Sequence, residues 1–374
     1  MKYTKYNKHK NLVTFSNSLL KRYNCKTYHK SISDIDVLLK RKRKVVVILF
    51  DGLGKSIIKN ILPKSSNFRK NNFMTISSTF PPTTVAATNA LLSGKYPNET
   101  GWIGWTTYIK SIDKVVEMFT GKEYVSKVLI KNEDLCRDLF PYENIFNTIR
   151  NNNPSLHVGT IYGQYSTINR PNSISEVFDQ IEAEVNGYED SLTYAYYPEP
   201  DTTLHEFGEN SKEVKVLVEE IESYTTRFAE KHKDTLVIVI ADHSHILVEP
   251  IYFNRYEDIT ECLSGVYSIE ARCASFRLKP NPALQRQFVT NFKKHFGKDF
   301  VLLTRQEALD KELFGPTSTQ LKGFEKYIGD YVALATTNRY FELNENHPFI
   351  STHAGATKRE LNIQVTVFNE HPKR

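Results

Sequence analysis

Cysteine is scarce in this sequence. Cys25, Cys136, Cys262 and Cys273 lie far apart and form no CxxC pair. That spacing speaks against a disulfide framework or a thiolate metal site and reads as four reduced thiols in a cytosolic protein. Long apolar runs are missing too. The longest, such as Val45–Phe50, span about six residues, where a membrane-crossing helix needs roughly 20. Residues 1–30 are dotted with Lys and Tyr and hold no hydrophobic signal core. The expectation is a cytoplasmic protein with no membrane partner. Neither charge sign dominates: 49 Lys+Arg against 43 Asp+Glu leave a net +6 over 374 residues. This balance fits an anionic substrate and gives no reason to expect a stable nucleic-acid partner. The one dense basic run, residues 40–44 (KRKRK), abuts an apolar run and reads as its solvated lead-in. Internal repeats and low-complexity linkers are also lacking.

What is present is globular material. Hydrophobic residues at 40% and charged residues at 25% exclude whole-chain disorder and coiled coil. At roughly 150 residues per domain, the length suits one large core, or a core with an insert. Val45–Phe50, Leu192–Tyr197 and Thr235–Ala241 are short, non-alternating and rich in β-branched or aromatic residues, as buried parallel strands are. Between the last two, Val214, Leu217, Val218, Ile221, Tyr224 and Phe228 recur at helical spacing. Strand, helix, strand is a βαβ unit. The expected fold is therefore α/β, a mostly parallel central sheet flanked by helices. After residue 245 the pattern changes. Strands at Arg272–Leu278, Phe300–Leu303 and Tyr331–Ala335, with a helix near Pro282–Phe296, predict a small inserted α+β cap over 246–345. Residues 1–245 and 346–374 would form the core, closing with a strand near Ile363–Phe368.

In such sheets ligands bind beyond the carboxyl ends of the strands. Asp51, Asp201 and Asp242 stand there. Pro81 and Pro82 cannot lie inside a helix, whereas Val85–Leu92 can, so Thr83 and Thr84 stand at a helix N-terminus. A threonine there is ordinarily a cap, but the free N–H groups also favour a phosphate. Asp201 and His205 share one face of a helical turn, and Asp242-His243 directly follows a buried strand. A lone His353 would be unremarkable. Three aspartates, three histidines and one hydroxyl together suit two divalent ions beside a nucleophile.

The order Val47–Gly52 (VILFDG), Phe80–Thr84, then Gly94–Gly101 resembles the alkaline phosphatase superfamily, and within it the type I phosphodiesterase/nucleotide pyrophosphatase branch. The branch's G-x-x-P-x-x-x-G element is matched by Gly94, Pro97 and Gly101, and its nucleophilic threonine, ten residues before the first glycine, by Thr84. Its PDxxGH element resembles Pro200–His205 with Leu204 for glycine. Its SDHG element resembles Ala241–Ser244, and its late histidine element His353–Gly355. The resemblance implies one zinc at Asp201, His205 and His353, and another among Asp51, Thr84, Asp242 and His243. Manganese is the alternative metal. The resemblance implies hydrolysis of phosphodiester or pyrophosphate bonds in a small phosphate-containing substrate, such as a nucleotide, through a phosphothreonine. A phosphomonoesterase or phosphomutase on the same scaffold is the alternative, and a non-catalytic binding protein a more distant one. One departure stands out: Trp105 occupies the place of an asparagine that holds a phosphoryl oxygen in the branch. Trp102 and Trp105 are candidate substrate contacts, and the Trp105 indole or Thr106, Thr107 or Tyr108 could supply the missing donor. His245 and His347 match no ligand position and are read as spectators.

Overall fold

The computed structural model describes residues 2–132, 134–162, 171–346 and 348–370. The chain contributes β1 (Lys44–Phe50), β2 (Asn72–Ser77), β3 (Thr106–Ile109), β4 (Lys114–Glu117), β5 (His157–Ile161), β6 (Ser191–Tyr197) and β7 (Thr235–Ile240). Beyond these come β8 (Ile246–Leu247), β9 (Glu249–Tyr252), β10 (Ser268–Ile269), β11 (Cys273–Phe276) and β12 (Phe300–Thr304). The last are β13 (Tyr331–Ala335), β14 (Arg339–Glu342), β15 (Ser351–Thr352) and β16 (Asn362–Phe368).

The main sheet runs β2-β16-β7-β1-β6-β5. β7, β1, β6 and β5 are parallel, while β16 is antiparallel to both neighbours. The fold is thus α/β with a mostly parallel centre, as the unalternating apolar runs predict. Every residue of β6 and β7 is buried, and all of β1 but Lys44, because helices cover both faces of such a sheet. The helix Lys212–Lys231 buries Val214, Val218, Ile221 and Phe228 at the spacing read from the sequence. Ser211 caps it, its side chain accepting from the Val214 N–H. No described helix is long and apolar enough to cross a membrane.

A second, antiparallel sheet runs β12-β13-β11-β10-β3-β4. Four of its strands come from 246–345, but β3 and β4 come from the segment just after the Gly94–Gly101 motif. The segment 246–345 therefore does not complete this sheet alone. Its own core is aromatic: Phe253, Phe276, Phe288, Phe292, Phe296, Phe300 and Phe341 cluster with the helix Pro282–Phe296.

Candidate active site

Three aspartates leave the main sheet side by side. Asp51 follows β1, Asp242 lies just past β7, and Asp201 lies beyond β6 and opens the helix Asp201–Phe207. Their main chains are tied together. The Asp51 N–H donates to Tyr197 O (3.0 Å), and the Asp201 N–H to Asp51 O (3.1 Å). Gly52 permits this crowding. Its φ is +73°, and a Cβ there would lie 3.1 Å from both Asp201 Cα and His245 Cδ2.

The helix Thr84–Ser93 points its N-terminus at these carboxylates. Thr83 is the N-cap, and Thr84 is the first helical residue. Thr84 Oγ1 lies 3.1 Å from His243 Nε2 and 3.3 Å from Asp51 Oδ1. Thr83 turns elsewhere: its hydroxyl donates to Glu270 Oε1 at 2.6 Å and makes no cap bond. Of the two threonines, only Thr84 stands among the aspartates and histidines.

The histidines gather around Asp201. His205 Nε2 and His353 Nε2 lie 3.5 and 3.7 Å from Asp201 Oδ1. Each turns its other nitrogen to a backbone carbonyl, His205 Nδ1 to Ser351 O (2.9 Å) and His353 Nδ1 to Pro82 O (3.2 Å). An Nδ1–H held this way leaves Nε2 as the free lone pair, the arrangement metal-binding histidines adopt. His243 Nε2 lies 3.3 Å from Asp51 Oδ1 and 3.5 Å from Asp242 Oδ2. Two groups of potential ligand atoms result, Asp51 with Asp242 and His243, and Asp201 with His243, His245 and His353. His205 stands outside the tighter groups but reaches Asp201.

His245 corrects the sequence reading. Expected as a spectator, it bonds Asp201 Oδ1 through Nε2 at 2.6 Å and Ser351 Oγ through Nδ1 at 3.0 Å. Its place two residues after His243, in the same tight turn, was the available signal. His347, the other expected spectator, lies outside the described residues. Tyr196 was also missed: its hydroxyl donates to Asp51 Oδ2, and it lies on the all-buried strand β6, where a sequence shows only another apolar position.

Without a cation the site is electrostatically frustrated. Burial, then the facing charge of Asp201, pushes the Asp51 carboxyl well up; burial, then Asp51, does the same to Asp242. Burial alone would raise Asp201 too, but His205, His245 and His353 hold it well below the usual carboxylate range. Burial in turn pulls His245 down to about 3 and His353 well below the usual imidazole value. Asp242 Oδ2 is buried with no hydrogen-bond partner among the described residues. An orphaned carboxylate oxygen facing further carboxylates and imidazole nitrogens is what a divalent ion satisfies, and the N/O donor set suits zinc or manganese.

Asp51, Thr84, Asp201, His205 and His353 line a cavity of about 1550 Å³. Its other walls come from 246–345, through Phe253, Leu263, Tyr267 and Glu270, and from Trp105 and Thr106. Trp102 is absent from that lining. It is 2% exposed, its indole N–H donates to Phe140 O (2.9 Å), and it borders a smaller hollow, which Thr84 and Tyr196 also line. The structure therefore removes Trp102 from the mouth of the main cavity. The Trp105 ring packs edge-on against Phe119, while its main-chain N–H donates to Glu270 Oε1 at 2.7 Å. Thr106 also lines the cavity; Thr107 is fully buried, and the Tyr108 hydroxyl is spent on Asp113 (2.8 Å). Glu270 itself, which no motif marks, has its carboxyl pushed up to about 7, chiefly by burial.

The second sheet is clasped to the site. Arg272, wholly buried, pairs with the buried Glu360 through Nε (2.7 Å) and Nη2 (3.0 Å). The same Glu360 accepts the Gly355 N–H (2.7 Å), and its main-chain oxygen accepts the Ser244 N–H (3.0 Å).

Solved structures share this architecture. Murine ectonucleotide pyrophosphatase/phosphodiesterase 5, as an inactive variant with AMP, is 15% identical, with 87% of this chain and 88% of that one covered and a TM-score of 0.62. Its human counterpart is 13% identical, covering 87% of each chain (TM-score 0.63). Phosphonoacetate hydrolase from Sinorhizobium meliloti, with phosphonoformate, is 14% identical, covering 87% of this chain and 90% of that one (TM-score 0.62). No curated protein matches the chain. The sequence model of one family, however, matches residues 45–360, from the start of β1 to the Glu360 clasp. The chain belongs to the type I phosphodiesterase/nucleotide pyrophosphatase family.

Proposed function

We propose that this protein hydrolyses phosphodiester or pyrophosphate bonds of a small substrate through a phosphothreonine formed at Thr84. Family membership supports the coarser statement, a phosphoester hydrolase. The observation that carries the finer one is the Thr84 hydroxyl, set at a helix N-terminus within 3.3 Å of both Asp51 and His243.

Asp201, His205 and His353 would hold one zinc ion, and Asp51, Asp242, His243 and Thr84 the other. His245 steadies Asp201 through its bond to Oδ1. When bound, the metal pair supplies Lewis acidity that lowers the hydroxyl pKa and offsets charge on the leaving oxygen. Manganese fits the same donors. Thr84 Oγ1 attacks phosphorus, a Thr84 O–P bond forms and the bond to the leaving oxygen breaks. The N–H groups at the start of the helix Thr84–Ser93 face the phosphoryl oxygens. Water then cleaves the phosphothreonine and restores the hydroxyl. The murine relative was solved with AMP and the hydrolase with phosphonoformate. A small phosphate-bearing substrate, such as a nucleotide, suits the cavity here. The four cysteines are buried free thiols, which supports placing the protein in the cytoplasm.

The test is acid quenching of metal-loaded protein during turnover of bis-p-nitrophenyl phosphate, followed by peptide mass analysis. The expected result is a p-nitrophenyl phosphoryl group on the Thr84 peptide, because the first displacement expels only one of the two nitrophenolates. Turnover with no covalent phosphate on that peptide, under conditions that trap burst-phase species, would sink the mechanism.

A further inference from the structure

Trp105 stands where the resemblance noted above implies an asparagine. The structure shows what has come in beside it. Glu270, from the far end of β10, places Oε1 2.6 Å from Thr83 Oγ1 and 2.7 Å from the Trp105 main-chain nitrogen. It therefore bridges the residue before the proposed nucleophile and the backbone at the substituted position. Both hydrogen bonds go to Oε1. Oε2 has no hydrogen-bond partner among the described residues, and the side chain lines the same cavity as Asp51, Thr84 and His353.

The placement is enforced by the backbone. Ile269, immediately before Glu270, adopts φ +77°, a left-handed conformation that a β-branched residue takes only under constraint. A Cβ on Gly104 would lie 2.8 Å from Ile269 O, so the absence of a side chain at 104 lets β10 press against β3. Strain of this kind persists where the surroundings over-determine a position, here the one that aims a carboxyl group at the reaction cavity.

We propose that Glu270 is a specificity-determining residue, a negative filter at the phosphoryl end of the cavity that disfavours dianionic monoesters relative to monoanionic diesters. The proposal rests on the hydrolase reading above. A carboxylate with one oxygen anchored by two donors cannot swing away when an anion arrives. Its free oxygen then faces the substrate's own charge, and the repulsion grows with the second negative charge of a monoester. Where an amide would welcome either ester, this group discriminates between them.

Glu270→Gln separates charge from structure. The amide oxygen still accepts from Thr83 and Trp105, while the anion at Oε2 becomes an N–H donor. The probes are inorganic phosphate, measured by titration calorimetry on metal-loaded protein at pH 8.5, and the kcat/KM of p-nitrophenyl phosphate against bis-p-nitrophenyl phosphate. Expected are phosphate binding at least about tenfold tighter and a monoester-to-diester ratio at least about tenfold higher, with Tm no lower than that of wild type. Phosphate affinity and ester ratio both within about threefold of wild type would overturn the filter and leave the hydrolase reading intact. Cleavage of neither ester by wild type, with phosphate affinity still raised by the substitution, would overturn the hydrolase reading alone. If the Gln variant fails to fold, Glu270→Met carries the same comparison, since it too removes the charge.

Discussion

His245 Nε2 lies 2.6 Å from Asp201 Oδ1, a shorter approach to that oxygen than His205 (3.5 Å) or His353 (3.7 Å) makes. A histidine in this position fixes the carboxylate's rotamer and decides which of its lone pairs remains for a metal. Groups that orient a ligand typically account for 10–100-fold in metal affinity. His245→Ala is therefore expected to lose metal to a competing chromogenic chelator at roughly 10–100-fold lower chelator concentration, with the circular dichroism spectrum unchanged. Equal retention by variant and wild type would leave His245 without this role.

The two ligand groups predict two transition-metal ions per chain in protein purified without chelator. Removing them should lower Tm, since a ligand bound only by the native state stabilises it. Elemental analysis alongside thermal unfolding checks both. A constant single ion in fully active protein would contradict the assignment.

For the nucleophile, Thr84→Ala is expected to lower kcat by roughly 10³-fold or more while metal content stays normal. Thr84→Ser should keep measurable turnover, because the hydroxyl survives. Thr83→Ala removes only a donor to Glu270 and should retain most turnover. The reverse pattern, Thr83 essential and Thr84 dispensable, would contradict the geometry described above.

Glu270 makes a pH forecast whose sign follows from its shift. Its folded pKa of about 7 exceeds the ~4.3 of an unfolded glutamate. The folded state thus binds more proton between those values, so this contribution to stability is complete below about pH 4.3 and is lost as pH rises through about 7. In chelator-treated protein, Glu270→Gln should lose less stability than wild type between about pH 5 and 7.5, by on the order of 1–3 kcal/mol. Asp51 and Asp242 titrate in both proteins and cancel in the difference. Parallel stability curves in denaturant would contradict the shift.

Arg272 and Glu360 are both fully buried, so removing one partner strands the other's charge. Glu360→Gln or Arg272→Met is expected to cost about 3–5 kcal/mol in chemical denaturation. A loss under about 1 kcal/mol would show that water or another group takes over the pairing.

The middle of the central sheet, β1, β6 and β7, was legible because those strands are buried on both faces and read as unbroken apolar runs, whereas β2 and β5 at the sheet's edges are partly exposed and were not read. The helix Lys212–Lys231 was legible because half its surface meets that sheet at a regular period. The residues gathered at the strand ends were legible as well, each sitting where a strand stops: Asp51, Asp201 and Asp242 with their neighbouring histidines. What could not be read depends on contacts distant in sequence. β3 and β4 are four-residue strands of a local hairpin, joined to the second sheet only where β3 pairs with β10, over 150 residues later. Glu270 enters the cavity through the same pairing, and nothing in its local sequence separates it from a surface glutamate. The bond from the Trp102 indole to Phe140 O was not legible either, because an aromatic beside a motif looks alike whether it faces a substrate or a carbonyl.

The clasp at Glu360 has a mechanical consequence. One side chain holds the Arg272 strand and the His353–Gly355 loop, while its own carbonyl holds the loop carrying Asp242 and His243. The second sheet and the loops that carry the ligands are therefore joined at Glu360, and again where the Ala356 N–H donates to Ala335 O (2.8 Å). A lift of the second sheet would tug both ligand loops. Such an enzyme would sort its substrates by the width of a fixed doorway, and its catalytic floor would stay level while they pass.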